Sequence, residues 1–262
     1  MVATYDEIGK THTATRAADP GISNRLIELL NLPKGSSVAD IGAGSGNYGL
    51  KLAEGGFDIT AIEPSQTMRN QSKSHPGLSW HDGIAENLPF PDNYFDGVTM
   101  VLCLHHFNNW RKGLAEAVRV AGNGPIVIFG FDVDYKADFW LFHYFPEFVQ
   151  IDEDYSVSMP RIKDYVENTL PASFELFSFP LPKDLTDHFL AAGWARPEIY
   201  LEEKFRNGIS SFPRLNRAAL KRGVNMLRED LKSNAWHKKY GHLLNHEKHD
   251  RGYLSIKIQS NC

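Results

Sequence analysis

The sequence predicts an α/β fold built on a doubly wound, mostly parallel sheet, and three observations carry that prediction. Short apolar segments alternate with amphipathic helical ones through the first half of the chain. The first of those segments, Ser37–Ile41, runs into a glycine-rich turn and then a helical pattern. A carboxylate, Glu63, closes the second segment, 21 residues after Gly42. Strands separated by helices of this length pair in parallel and need helices on both faces. With 262 residues, 42% hydrophobic and 23% charged, the chain has room for one large domain carrying an insertion. Disordered, collagen-like and coiled-coil architectures are excluded by the same composition.

The elements follow in order. Ile22, Leu26, Ile27, Leu29 and Leu30 recur at helical spacing until Pro33-Lys34-Gly35 breaks the chain. SVADI (37–41) reads as a strand, GAGSGNYG as the turn and LKLAEGG as the helix behind it. FDITAIE (57–63) is a second strand, and PSQTMRNQSKS starts a helix with Pro64 at a tolerated early position. LSWHD (78–82), FDGVTMVL (95–102) and GPIVIFGFD (124–132) are three further strands, with a helix over 110–120 between the last two. The alternation stops after Asp132. Residues 133–182 are dense in aromatic and acidic side chains, and two or three helices with a short β segment, FELFSFPL, are expected to form an insertion there. KDLTDHFLAAGW then reads as a helix, RPEIYLEEKF as a strand, 213–240 as a long helical stretch and GYLSIKIQS (252–260) as the last strand. The expected division is therefore 1–132 and 183–262 as one domain, interrupted by the segment 133–182.

Charge and cysteine usage narrow the function classes. Residues 1–199 carry a balance of −11 and residues 200–262 one of +7, giving −4 overall. A weakly acidic protein lacks the general basic face that phosphate binding requires, so a nucleic-acid partner is disfavoured, and the basic end reads as a solvated helix. No apolar stretch approaches the length of a membrane span, and the charged start lacks the apolar run of an export signal. Cys103 and Cys262 show neither pairing nor metal-ligand spacing. These features together predict a cytoplasmic protein. A monomer or a homodimer is expected, and the sequence does not separate the two.

The strongest local signal is the run Val38-Ala39-Asp40-Ile41-Gly42-Ala43-Gly44-Ser45-Gly46-Asn47-Tyr48-Gly49. Glycines allow a sharp turn and let a ligand approach the main chain. Glu63 stands where a doubly wound fold presents a carboxylate to ribose hydroxyls, and Pro64 biases it towards an extended backbone. The glycines alone fit two ligands: Gly44, Gly46 and Gly49 satisfy the dinucleotide G-x-G-x-x-G, while Gly42, Gly44 and Gly46 satisfy G-x-G-x-G. Asp40 separates the two, because a carboxylate there repels a pyrophosphate and suits a ligand carrying an ammonium and a sulfonium.

Taken together, Asp40-Ile-Gly42-Ala-Gly44-Ser-Gly46, Glu63-Pro64-Ser65, Ala85-Glu86-Asn87-Leu88-Pro89-Phe90, Phe95-Asp96 and the helix ending Arg119-Val120 resemble class I S-adenosylmethionine-dependent methyltransferases. The likeness is to their type 11, ubiquinone/menaquinone-like small-molecule group, and to a bacterial set assigned loosely to antibiotic or secondary-metabolite biosynthesis. It is ordered along residues 36–132 and weaker over Tyr5–Lys10 and the ending. The resemblance implies a seven-stranded Rossmann-like sheet with an inserted, mainly helical lid. It implies S-adenosylmethionine as cofactor and S-adenosylhomocysteine as product. Gly42, Gly44 and Gly46 would lie along the methionine part, Asp40 near its amino group, Glu63 on both ribose hydroxyls, and Pro64, Ser65 and Met68 beside the adenosine. Gly83, Ile84, Ala85 and Leu102 would complete the wall. The family usually places an Asp where Ile84 stands, so the adenine amino group must meet either a backbone carbonyl or Asp82. Tyr5 and Arg16 would close over the cofactor, Arg16 pairing its carboxylate, unless Arg16 is simply a surface residue.

The remaining candidates concern the methyl acceptor. His105 and His106 follow the fourth strand at the carboxyl edge of the sheet, where a neutral imidazole can take a proton as the methyl arrives. Alternatively one hydrogen-bonds the loop and the other packs. His237, His242, His246 and His249 lack the companions of a metal motif and read as a solvated face, so no metal is expected; Cys103 reads as a small core residue. Phe139, Phe142 and Phe145 suit either a packed helix or the wall of a substrate pocket. The predicted function is S-adenosylmethionine-dependent methyl transfer to an O, N or C nucleophile of a small, aromatic or secondary metabolite. An RNA or protein methyltransferase, a nicotinamide-dependent oxidoreductase and a non-catalytic cofactor-binding module are the competing readings.

Overall fold

Helix α1 (Pro20–Leu30) opens the described chain, and its start has a local cause. The Asp19 carboxylate accepts hydrogen bonds from the backbone N–H groups of Gly21 (2.8 Å) and Ile22 (3.2 Å), and Pro20 occupies the first turn, where its missing N–H costs nothing. The helix stops at Asn31, which turns into the left-handed region at φ 49°. The computed structural model describes residues 16–135, 139–170 and 172–260.

From α1 the chain builds β1 (Ser37–Ile41), α2 (Asn47–Glu54), β2 (Asp58–Ile62), the short α3 (Gln66–Arg69), β3 (Leu78–His81), β4 (Gly97–Val101), α4 (Trp110–Ala121) and β5 (Pro125–Phe131). Three helices follow, α5 (Leu141–Tyr144), α6 (Glu147–Tyr155) and α7 (Met159–Thr169), then β6 (Ala172–Ser178) and the two-residue β7 (Leu181–Pro182). The last part holds α8 (Glu203–Asn207), α9 (Arg217–Lys232), α10 (Ala235–Tyr240), β8 (Lys248–His249) and β9 (Tyr253–Ser260), with 3₁₀ turns between them.

Seven strands form one sheet in the order β3-β2-β1-β4-β5-β9-β6. The pairs from β3 through β5 are parallel, and β9 is antiparallel to both neighbours. The chain steps outward from β1 to β3, then returns to the other side of β1 with β4. That reversal opens a crevice beyond the carboxyl ends of β1 and β4, where open α/β sheets bind ligands.

Alternation along the strands divides the core. Val127 and Phe129 of β5 pack on one face with Leu26 and Leu30 of α1 and the aromatic residues of the second half. Ile126 and Ile128 face the other way, against Leu114 and Val120 of α4 and Ile162 and Val166 of α7. Trp140 anchors the aromatic side: its ring meets Trp236 at 5.3 Å and Tyr200 at 5.5 Å, and its indole N–H donates to the Trp194 carbonyl at 2.8 Å.

The first half matches the sequence expectation closely, and the second half departs from it. FELFSFPL belongs to the main sheet, because β6 pairs with β9 along its whole length. The segment KDLTDHFLAAGW is turns, not a helix. Leu185, Phe189, Ala192 and Trp194 are each buried, and the Arg196 guanidinium donates to the Leu185 (2.8 Å) and Ala192 (3.0 Å) carbonyls that a helix would otherwise occupy. RPEIYLEEKF is a 3₁₀ turn (Pro197–Leu201) followed by α8, not a strand. Pro197 cannot donate to a ladder, and the Tyr200 hydroxyl instead takes the Gly193 N–H at 3.2 Å and donates to the Leu190 carbonyl at 2.5 Å. The helix after Glu63 is a single turn capped by Ser65, with Pro64 outside it.

Candidate active site

Two cavities adjoin at the carboxyl ends of β1, β4 and β5. The first, of about 280 Å3, lies over the glycine turn after β1 and is lined by Gly42, Ala43 and Gly44, by Glu63, Pro64 and Met68 after β2, and by Gly83–Glu86 after β3. The second, of about 380 Å3, lies between β5 and the helices that follow it. Arg16, Leu102 and His106 border both.

The glycine turn is shaped by contacts that exclude a side chain. Gly42 and Gly46 adopt φ values of 68° and 75°. A Cβ on Gly42 would sit 2.7 Å from the Cys103 Cβ, and one on Gly46 would sit 2.5 Å from the Trp80 ring. Both positions therefore need glycine for backbone conformation and for space.

Glu63 is the best-held charged group at this turn. It is buried, its Oε2 accepts the Gly44 N–H at 3.0 Å and its Oε1 accepts the Ser65 N–H at 2.9 Å. Each carboxylate oxygen has further lone-pair capacity, and the residue lines the first cavity. A fixed carboxylate with both oxygens oriented is suited to a vicinal diol. Asp40 lies beneath the turn, almost fully buried, with Oδ1 accepting from the Thr99 hydroxyl at 3.1 Å and Oδ2 facing Gly49 of α2. Burial pushes its carboxyl up to about 7, a rise that the Thr99 hydroxyl and the Gly49 backbone only partly offset.

At the junction, Arg16 forms a bidentate pair with Asp187 through Nε and through Nη2 (3.0 Å), and the Tyr48 hydroxyl donates to the same carboxylate at 2.9 Å. Leu102 is held at φ 50°, a conformation that non-glycine residues seldom adopt, while its N–H donates to the Phe129 carbonyl at 2.8 Å. Such strain tends to collect where a backbone is fixed for function. His105 and His106 form a 3₁₀ turn with Leu104, their rings 3.8 Å apart, and His105 lies 5.7 Å from the Phe131 ring. Burial, reinforced by the positive charges of Arg214 and Arg16, lowers the His105 imidazole to about 4. It is therefore neutral at physiological pH.

The comparisons with known proteins bear on this arrangement. Residues 39–129 match the methyltransferase domain family. Over 94% of its length the chain superposes on 99% of a candidate methyltransferase of an antibiotic biosynthesis pathway from Anabaena variabilis, with a TM-score of 0.90 and 39% identity. The chain belongs to the S-adenosylmethionine-dependent methyltransferases. A demethylmenaquinone methyltransferase of Renibacterium salmoninarum is 30% identical over 130 residues, covering 47% of this chain and 55% of that protein. The chain thus spans about half the length of the curated relatives it matches. A phosphoethanolamine N-methyltransferase of Haemonchus contortus, bound to S-adenosylmethionine, shares the fold at a TM-score of 0.61 and 16% identity, over 98% of this chain and 57% of that one.

Of the residues expected around the cofactor of this methyltransferase, the fold brings Gly42, Gly44, Glu63, Pro64, Met68, Gly83, Ile84, Ala85, Leu102 and Arg16 to one cavity. Asp40, Gly46 and Ser65 lie behind that wall and do not line it; Ser65 is fully buried as the cap of α3. Tyr5 lies outside the described residues. Arg16 is not a free surface residue: Asp187 holds it through Nε and Nη2 at the border of the cavity. Asp82 does not reach in: its side chain is 72% exposed and paired with Arg69 at 3.1 Å, which leaves the Gly83–Ala85 backbone as the polar edge there. Cys103 is a buried core residue whose Sγ–H donates to the Ile41 carbonyl at 3.2 Å. His106 borders both cavities, and His105 only the second.

Sequence reasoning missed Tyr48, Asp187, Arg214 and Tyr253. Tyr48 was visible inside the glycine run. The others gave no signal, because Asp187 lies 171 residues from the arginine it holds and the rest arrive from separate elements of the second half. Among the described residues no cluster of His, Cys, Asp and Glu has the arrangement of a metal site, and no helix is long and apolar enough to cross a membrane.

Proposed function

We propose that this chain transfers the methyl group of S-adenosylmethionine to an O, N or C nucleophile of a small, aromatic or secondary metabolite. The observation that carries the reading is the pair of adjoining cavities, one built around the oriented Glu63 carboxylate and the other walled by aromatic rings. The first fits the cofactor: Glu63 would take the ribose hydroxyls, Gly42 and Gly44 would lie against the methionine part, and Met68, Ile84 and the Gly83–Ala85 backbone would hold the adenine. S-adenosylmethionine supplies a methyl on a positively charged sulfur, which passes to the acceptor's lone pair or π-electrons as the carbon–sulfur bond breaks, leaving S-adenosylhomocysteine and a proton.

The work of the chain itself is then placement and exclusion of water. Leu102, His106 and Arg16, bordering both cavities, would define the passage between cofactor and acceptor. Asp187 holds Arg16 at that border, and the Tyr48 hydroxyl donates to Asp187 in turn. His105 and His106 are proposed to receive the acceptor's proton where the nucleophile must lose one. Residues 139–156 contribute much of the second cavity, consistent with a substrate lid over the carboxyl edge. A concave, ring-walled cavity of about 380 Å3 favours a small molecule over RNA or a protein surface. The Anabaena relative supports secondary metabolism as the setting, and the sparse cysteines support the cytoplasm. The test is transfer of labelled methyl from S-adenosylmethionine into a metabolite extract by the purified protein. Cofactor binding without any transfer would leave a non-catalytic module, and binding of NAD in preference to S-adenosylhomocysteine would overturn the reading altogether.

A further inference from the structure

The second cavity is lined by rings. Tyr253 stacks on Phe189 at 4.5 Å and meets Phe131 at 5.8 Å. Its rim is apolar as well, since Tyr135, Val149 and Tyr155 are large side chains left exposed there. Exposed apolar surface gathered at a cavity mouth marks a place where a ligand covers it.

Within this wall one carboxylate makes no polar contact. Asp152, on α6, lines the cavity and makes no side-chain hydrogen bond or ion pair with any described residue. The cations of the same cavity pair with other groups than Asp152. Arg16 is held by Asp187, the Arg214 guanidinium lies 3.8 Å over the Tyr155 ring, and that of Arg251 lies 4.4 Å over Phe139. The other cavity carboxylate, Asp132, accepts the Asp134 N–H at 3.0 Å.

We propose that Asp152 determines acceptor specificity, and that the acceptor is an aromatic compound carrying a protonated amine whose ammonium pairs with Asp152 while its ring lies against Tyr253 and Phe189. The proposal rests on the reading of the second cavity as the acceptor site. An ammonium supplies the charge that Asp152 lacks, and aromatic faces add cation–π attraction to it. Desolvation alone lifts the Asp152 carboxyl to about 7, so a bound cation relieves a cost already present in the free protein. A neutral aromatic leaves that carboxylate uncompensated, and an anionic group placed at Asp152 meets a like charge.

Calorimetric titration of the protein loaded with S-adenosylhomocysteine tests this, with tryptamine and indole-3-propionate as probes of the same ring and opposite charge. Tryptamine is expected to bind at least tenfold tighter than the propionate. Asp152→Asn should erase that preference and Asp152→Glu should retain it, both with unchanged S-adenosylhomocysteine affinity as proof of folding. Tryptamine binding that is undetectable at millimolar concentration, no tighter than that of the propionate, or unaffected by Asp152→Asn overturns the proposal. Absence of S-adenosylhomocysteine binding overturns the cofactor reading instead, and the same titration on unloaded protein still decides the role of Asp152.

Discussion

Replacing Glu63 by Ala perturbs two things at once, and the structure separates them. In the free protein the carboxylate accepts the Gly44 N–H at 3.0 Å and the Ser65 N–H at 2.9 Å from a buried position. Bonds to a charged acceptor contribute about 1.5–3 kcal/mol each, and water entering the vacated space recovers part of that. The expected loss of stability is therefore about 2–4 kcal/mol, read from urea denaturation. In the complex the same oxygens are expected to accept two ribose hydroxyls. Losing them costs at least about 1.4 kcal/mol, so S-adenosylhomocysteine affinity should fall roughly ten- to a hundredfold. Glu63→Gln keeps the shape but turns an amide N–H₂ towards one of the two backbone donors, and it should fall between Ala and wild type. Calorimetric titration under conditions where each variant is folded gives the affinity directly. A folded Glu63→Ala whose Kd stays within twofold of wild type would refute the reasoning, because the carboxylate would then be a structural brace for the glycine turn and nothing more.

Three further outcomes follow from the same geometry. Asp187→Asn should destabilise the fold by about 2–3 kcal/mol by leaving the partly buried Arg16 guanidinium without its bidentate partner, and an unchanged urea midpoint would show that the pair contributes little. His105→Asn or His106→Asn should lower turnover roughly a hundredfold at unchanged cofactor affinity. If His105 is the base, wild-type activity is lost as pH falls through about 4, where the imidazole gains its proton, and that limb disappears in His105→Asn; near-normal turnover of both single variants and the double variant would leave placement as the whole mechanism. Asp152→Asn should gain stability relative to wild type as pH rises from 3.8 to about 7, by up to about 4 kcal/mol, because the folded state holds that proton longer than the unfolded chain does. Equal differences in thermal midpoint at pH 4 and pH 8 would show that Asp152 is not a desolvated carboxylate.

The sequence by itself determined the cofactor half. β1, the glycine turn, α2 and Glu63 are consecutive, and their contacts are local: the Gly44 N–H finds a carboxylate only 19 residues away. Periodicity, turn chemistry and the strand-end acid all act over such distances, so they are legible without a fold. The same locality explains why the strands through β5 fall within a residue or two of their expected bounds. Beyond Phe131 the determining contacts are long-range. Arg196 holds carbonyls that would otherwise suit a helix, Pro197 and the Tyr200 hydroxyl replace an expected strand, and β6 finds its place only because β9, near the far end of the chain, pairs with it. The second cavity belongs to this second class. Asp152 on α6, Phe189 in a turn, Arg214 before α9 and Tyr253 at the head of β9 are unremarkable in sequence, and they become one wall only when the sheet brings their elements together. Propensity decides which element a short segment prefers, but burial of distant aromatic side chains decided how these elements pack, and with that packing the shape and charge of the second cavity.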